Sequence, residues 1–245
     1  HQGILDSLVF CVRGQDLDEG QYVAFARSLG PTVRWTEAEA HPQFPELQVR
    51  SSDTTAKITP EGRKVGGAEW HTDGSYLAKP YSYTLLYGVE VPSVGGDTQF
   101  TNMYEAYDAL PEATKRRIDG LRVVMDVKSK KSTRTSALSQ GYLDRLPPVA
   151  HPLVRTHPET GQKALYICGV RMQGIEGMDP GESRELLDEL LAHSIAERFQ
   201  YRHKWQRGDL LIWDNRCTMH KANGDYPLDE RRVMHRINIE GTAPY

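Results

Sequence analysis

Three side chains stand out as a set able to bind a metal ion and leave it reactive. His71 and Asp73, in Trp70-His71-Thr72-Asp73-Gly74-Ser75, are separated by one residue. In an extended strand positions i and i+2 face the same way, so imidazole and carboxylate can grip one ion together. Two protein ligands fix a metal poorly, and an HxD pair alone also describes an ordinary histidine beside an aspartate. His220, in Trp213-Asp214-Asn215-Arg216-Cys217-Thr218-Met219-His220, offers a third ligand. Two imidazoles and one carboxylate on one face of an octahedron leave three positions open, the arrangement of non-haem Fe(II) oxygenases.

A second pattern follows downstream. In an extended run from Arg231 to Ile239, Arg232, Met234, Arg236 and Asn238 share one face; Val233, His235, Ile237 and Ile239 share the other. Two arginines on one face of a core strand are costly unless anions meet them. Internal aspartates or glutamates could do so. So could the carboxylates of a bound dicarboxylate, which a planar guanidinium grips with two hydrogen bonds.

Residues this far apart in sequence can meet only if strands carry them to a common inner face. Strand signals are frequent: 7–12, a run around 47–50, 83–91, 98–100, 123–127, 153–156, 164–168, 199–205, 209–213 and 232–239. A helix is expected after Asp16, with Asp16 as N-cap, Glu19 three residues on, and Tyr22, Phe25, Ala26 and Leu29 as its apolar stripe. Shorter helices are expected over 103–110 and 111–121, and an amphipathic one over 183–198. The segment 37–67 reads as polar and loop-rich. The basic run Lys128 to Arg134 reads either as a solvated loop or as an anion-attracting lid, and with the polar stretch to Pro148 it gives a lid-like insertion around 128–148. The expected architecture is mainly β with flanking helices, a double-stranded β-helix (jelly-roll, cupin-like) core in one domain spanning 1–245.

The bulk numbers remove other classes. A chain of 245 residues with 38% hydrophobic and 26% charged residues can bury a sizeable core. A formal charge of −3 gives no reason to expect nucleic acid or an anionic membrane surface. No apolar run approaches the ~18–20 residues of a membrane-spanning helix. The opening His1-Gln2-Gly3-Ile4 shows no signal peptide, and an upstream segment is left open. Cys11, Cys168 and Cys217 are scattered without CxxC spacing, which suits unpaired thiols in a reducing cytoplasm.

With these residues in place the chain resembles the taurine / dichlorophenoxyacetate dioxygenase family of Fe(II)- and 2-oxoglutarate-dependent oxygenases. The resemblance rests on five motifs in order: Trp70–Asp73, Gly95-Gly96-Asp97-Thr98, His151-Pro152-Leu153-Val154-Arg155-Thr156-His157-Pro158, Gly208–Arg216 and Arg231–Arg236. It implies that His71, Asp73 and His220 ligate Fe(II), that Thr98 and Arg232 hold the distal carboxylate of 2-oxoglutarate, and that Arg236 contacts the near end of the co-substrate or an acidic group on the substrate. His41 matches a histidine that binds the substrate's anionic group in the taurine enzymes. Phe44 stands where those enzymes carry a tyrosine, Gly67 about where they carry an asparagine, and Gly74 begins a pocket wall that differs. The family often forms homo-oligomers.

The implied reaction oxidises a C–H of a small anionic organic substrate, most simply by hydroxylation, with 2-oxoglutarate and O2 converted to succinate and CO2. Hydroxylation beside a heteroatom would cleave a C–S or C–O bond. Halogenating relatives replace the carboxylate ligand with Gly or Ala, so Asp73 favours oxygenation. Alternatives are a biosynthetic tailoring oxygenase on the same scaffold, hydroxylating or desaturating an amino acid or natural product, and more remotely a non-catalytic jelly-roll binding protein.

Overall fold

The computed structural model describes residues 1–35, 41–59, 62–129 and 146–245. The N-terminal half begins with helix α1 (Gln2–Ser7), strand β1 (Val9–Val12) and helix α2 (Glu19–Leu29). There follow β2 (Gln48–Ser51), the one-turn helix α3 (Ser52–Thr55) and a hairpin of β3 (Ala56–Thr59) and β4 (Gly62–Val65). Next come β5 (Tyr83–Glu90), β6 (Thr98–Asn102), α4 (Met103–Asp108), α5 (Glu112–Ile118) and β7 (Arg122–Met125). The C-terminal half contains β8 (Val149–Pro152), β9 (Val154–Thr156), β10 (Lys163–Leu165), β11 (Met172–Ile175) and helix α6 (Pro180–Ser194). Strands β12 (Gln200–His203), β13 (Leu210–Asp214), β14 (Thr218–Ala222) and β15 (Val233–Asn238) close it.

Two antiparallel sheets carry the site: a five-stranded one in the order β1-β13-β5-β15-β2 and a three-stranded one in the order β12-β6-β14. This is the jelly-roll core that the strand signals imply. The alternation of side chains along β5 and β13 shows how it is built. Leu85, Tyr87, Leu210 and Ile212 point outward onto Tyr22, Val23 and Ala26 of α2, while Leu86, Leu211, Trp213 and Met234 point inward onto Phe100 and Trp205. Each fully buried aliphatic side chain of this kind contributes about 1.5–3 kcal/mol, so both faces of the large sheet are held without leaving its centre open to water. A third apolar cluster, with Ile118, Met125, Leu153, Leu165, Leu186 and Leu190, joins α4–α6 to a further sheet, β11-β7-β8, and to the β9–β10 hairpin.

Several local expectations change. The cap of α2 is Asp18, whose side chain accepts from Gln21 N while the Gln21 side chain accepts from Asp18 N, a reciprocal capping box two residues later than Asp16. Phe25 lies on the exposed flank of that helix. Helix α6 starts at Pro180, because Asp179 caps it through Gly181 N and Glu182 N, and it ends at Ser194. Strand β14, which holds His220, escapes the apolar-run signal because Asn215, Arg216 and Thr218 break the run before it. Residues 130–145, the greater part of the insertion around 128–148 and of its basic run, lie outside the described residues. No helix among the described residues is long and apolar enough to cross a membrane.

Candidate metal and co-substrate site

His71 and His220 are brought together by the backbone. They form an antiparallel bridge in which His71 N donates to His220 O at 3.0 Å and His220 N donates to His71 O at 2.8 Å. Directly opposed residues in an antiparallel pair project to the same face, and the two imidazole centroids are 4.2 Å apart. Asp73 is not in a strand as the spacing suggests; it lies in the turn that follows the bridge. That turn is pinned to β14 by Thr72 Oγ1 donating to Thr218 O at 3.1 Å. Its reversal uses Gly74 at φ +72°, where an added Cβ would strike the Tyr81 ring at 2.9 Å.

Nε2 of His71 lies 3.9 Å from Asp73 Oδ1, and Nε2 of His220 lies 3.9 Å from Asp73 Oδ2. These separations are too long for hydrogen bonds, yet all three ligand atoms lie within 4.8 Å of one another. Two metal–ligand bonds of about 2.1 Å reach at most about 4.2 Å, so one ion can bridge the 3.9 Å separations. Two other clusters of potential ligands among the described residues, Cys11 with His203 and Asp209 and Cys217 with His157 and Asp214, differ. His203 and His157 stand 3.0 and 3.1 Å from their aspartates, Asp209 and Asp214, at hydrogen-bonding distance. Each of those carboxylates is also met by an arginine, Arg13 or Arg216. Those pairs satisfy themselves. Asp73 also has an arginine near it, Arg236 at 3.7 Å, but both imidazoles stay beyond hydrogen-bonding distance of its carboxylate, and this geometry fits an ion.

The protonation states agree. Burial pushes the imidazole pKa of His71 down, and burial together with the neighbouring His71 takes His220 down to about 3. Burial alone would raise Asp73, but the Arg236 guanidinium and the two imidazoles outweigh it and hold the carboxylate well below its usual range. The set is therefore two neutral imidazoles and one carboxylate, the forms that bind a metal. His71 Nδ1 faces Glu69 O at 2.7 Å, which places the ring proton on Nδ1 and leaves the Nε2 lone pair free. The His220 ring is walled by Trp213 at 4.7 Å and Phe100 at 5.9 Å. Gly67 keeps space beside His71, since a Cβ there would stand 3.1 Å from His71 Cε1.

Thr98 lies along the same inner face. In the β6–β14 register His220 opposes Phe100 and Ala222 opposes Thr98, two residues further on. Two residues of strand cover about 7 Å, the reach of a five-carbon dicarboxylate. Arg232 donates from Nε to Gly96 O at 3.1 Å and holds its guanidinium 5.6 Å from the centre of the Trp205 ring, which itself donates to Thr98 Oγ1 at 3.0 Å. Burial lowers the Arg232 pKa to about 10, although Tyr226 and Asp97 favour its charge. Arg236 is nearer the triad, with Nη1 3.7 Å from Asp73 Oδ1, and both its Nε and Nη2 donate to Gln48 Oε1 at 3.0 and 2.6 Å.

His41 and Phe44 are placed elsewhere. Their rings stack at 5.7 Å, His41 faces Glu19 of α2 at 3.5 Å, and Phe44 packs into the outer cluster with Tyr22 and Leu85. Asp73 and Arg236 are on the opposite side of the large sheet. The sheet thus separates this stacked pair from the triad, because the segment before β2 folds back over α2. The Cβ direction of Gly74 is filled by Tyr81, so the wall beside it is aromatic.

Other contributors carry only faint sequence signals. Thr84 interrupts the apolar run of β5, and Asn238 stands between Ile237 and Ile239 at the end of β15; polar residues on the inward face of central strands mark a buried hydrogen-bond network. Gln48 and Trp205 have no sequence signal beyond their type.

The family model for the taurine catabolism dioxygenase TauD, TfdA family matches residues 1–238. The chain belongs to this family. It is 36% identical to an α-ketoglutarate-dependent 2,4-dichlorophenoxyacetate dioxygenase of Cupriavidus pinatubonensis over 239 residues, covering 93% of this chain and 83% of that one. It is 34% identical to pentalenolactone F synthase of Streptomyces arenae over 251 residues, covering 94% of this chain and 81% of that one. The crystal structure of AAD-2 in complex with Mn(II) and N-oxalylglycine matches with a TM-score of 0.80 at 32% identity, covering 99% of this chain and 86% of that one. This dioxygenase therefore uses Fe(II), 2-oxoglutarate and O2, and oxidises a small molecule.

Proposed function

We propose that His71, Asp73 and His220 hold the Fe(II), that Thr98 and Arg232 bind the distal carboxylate of 2-oxoglutarate, and that Arg236 faces an anionic group of the primary substrate. The observation that carries this reading is the gap between Asp73 and the two imidazoles, too long for hydrogen bonds and of the size an ion fills. Bound there, iron with 2-oxoglutarate and O2 supplies the oxidising chemistry, yielding succinate, CO2 and an oxidised substrate carbon. The chain's own part is positional. The Glu69 carbonyl and the aromatic wall aim the imidazoles, Thr84 aims the carboxylate, and Arg232 fixes the far end of the co-substrate. The apolar inner face keeps water from the reacting centre.

The substrate class is a small organic anion. Arg236 beside the triad supports it, as does the aryloxyacetate named for the Cupriavidus relative. A second reading, oxidative tailoring of a larger natural product, is supported by the likeness to pentalenolactone F synthase. Three unpaired thiols, Cys11, Cys168 and Cys217, support a reducing, cytoplasmic setting.

The test is anaerobic addition of Fe(II) and 2-oxoglutarate, expected to give a weak visible charge-transfer band that His71→Ala abolishes. No band in the unaltered protein would end the assignment. Arg232→Ala is expected to raise the 2-oxoglutarate requirement sharply with iron binding intact; an unchanged requirement would put the distal carboxylate elsewhere. Succinate formation across aryloxyacids, sulfonates, alkyl sulfates and larger natural-product lactones then separates the two substrate readings.

A further inference from the structure

We infer that Trp205 is a positioning residue of the 2-oxoglutarate site, whose indole N–H commits the Thr98 hydroxyl to present its proton to the distal carboxylate and whose ring seats the Arg232 guanidinium. This rests on the assignment of Thr98 and Arg232 above.

Trp205 Nε1 lies 3.0 Å from Thr98 Oγ1. An indole nitrogen only donates, so the hydroxyl must be the acceptor in this bond. A hydroxyl carries a single proton. With one lone pair engaged by the indole, that proton is available to an acceptor in the cavity, and a carboxylate is acceptor-only. An isolated threonine would rotate among several hydroxyl orientations; the indole removes those in which the proton points toward Trp205.

The other half of the grip leans on the same ring. Arg232 Cζ is 5.6 Å from the Trp205 centroid, within the range of a cation–π contact. Its Nε is spent on Gly96 O, which leaves the terminal nitrogens for a ligand. Gly96, whose carbonyl takes that bond, sits at φ +66° with no room for a side chain, since a Cβ would stand 2.9 Å from Pro92 Cγ and 3.2 Å from Tyr226 Cδ1.

Trp205 is itself fixed from behind. His203 packs edge-on to it at 4.6 Å, and His203 Nε2 is bound to Asp209 Oδ2 at 3.0 Å. Asp209 is held by Arg13 Nη1 at 2.9 Å and by Gln206 N at 2.9 Å. Arg13 in the linker after β1 and the turn before β13 thereby reach the co-substrate site through one indole.

The experiment compares anaerobic calorimetric binding of 2-oxoglutarate with that of 2-oxopentanoate, which keeps the 2-oxo acid end and lacks the distal carboxylate, to the Fe(II)-loaded protein. Trp205→Phe keeps an aromatic ring and loses the N–H. It is expected to weaken 2-oxoglutarate about five- to tenfold, the effect of one hydrogen bond, and to leave 2-oxopentanoate unchanged. In a Thr98→Val background the same substitution is expected to add little, because the hydroxyl it orients is gone. Equal weakening of both acids, additivity with Thr98→Val, or no change would overturn the inference. Should Trp205→Phe fail to fold, the indole N–H resonance of Trp205 in 15N-labelled, Zn(II)-loaded protein gives the answer. It should move on adding 2-oxoglutarate and not on adding 2-oxopentanoate; identical responses would count against the role. Arg232→Ala separates the levels: if it leaves discrimination between the two acids intact, the fault lies in the underlying carboxylate assignment.

Discussion

The Thr84 hydroxyl donates to Asp73 Oδ2 at 2.9 Å, and it is obliged to do so. Two amide groups, Asn215 Nδ2 at 2.9 Å and Asn238 Nδ2 at 2.7 Å, donate to the Thr84 hydroxyl oxygen. Its acceptor capacity is filled, so its one proton goes to the carboxylate. Asn215 is in turn fixed by Trp213 Nε1, which donates to its Oδ1 at 3.1 Å. The metal-facing carboxylate is thus oriented by a buried network spanning β5, β13 and β15.

Thr84→Val keeps the shape and removes the proton. Metal affinity is expected to fall about tenfold, as losses of such outer partners do, and two buried amides lose their acceptor. Fe(II) or Mn(II) titration of the purified variant reads this, and an unchanged affinity would show that Asp73 needs no outside support.

Gln48 acts on Arg236 in a similar way, since one amide oxygen receives both Nε and Nη2. Gln48→Leu frees the guanidinium. The expected result is a KM for the primary substrate raised roughly tenfold, the scale of a hydrogen bond to a charged group, with the metal affinity kept. A fall in metal affinity instead would mean that Arg236 serves Asp73 before it serves the substrate.

Asp214 holds a different, structural network. It accepts from Arg216 Nε at 2.8 Å and Nη2 at 2.6 Å, and it stands 3.1 Å from His157 Nε2, all deeply buried. Asp214→Asn removes the buried charge that faces Arg216 and leaves the partly exposed Glu159 and the Tyr83 hydroxyl against the guanidinium. A loss of about 3–5 kcal/mol in folding free energy is expected, measured by urea denaturation of the metal-free protein.

Burial lowers the pKa of His151, His203 and His235 from the ordinary 6.5. The unfolded chain takes up protons at these rings near its ordinary value, and the folded chain resists until a lower pH. Folding is therefore penalised as pH falls below 6.5, and stability rises with pH through that window. The urea midpoint at about pH 5 is expected to lie below that at about pH 7.5; equal midpoints would show that these rings titrate normally.

The sequence by itself determined the chemical types: two imidazoles and a carboxylate, a threonine and two arginines, and strands enough to bring them together. Side-chain type and period-2 alternation are local properties, so Arg236 and Asn238 could be put on one face and Ile237 on the other before any tertiary contact was known. Tertiary structure decided everything that depends on which strand meets which. His71 opposes His220 only through the register of a single bridge, and Asp73 reaches them from a turn rather than a strand. His41 and Phe44 look like pocket residues by motif, yet the fold lays them over α2 on the far side of the large sheet. Thr84, Gln48 and Trp205 matter because of partners 11, 188 and 107 positions away in the chain. Pairing at those separations is fixed by sheet register and packing of the whole domain, and no local pattern encodes it.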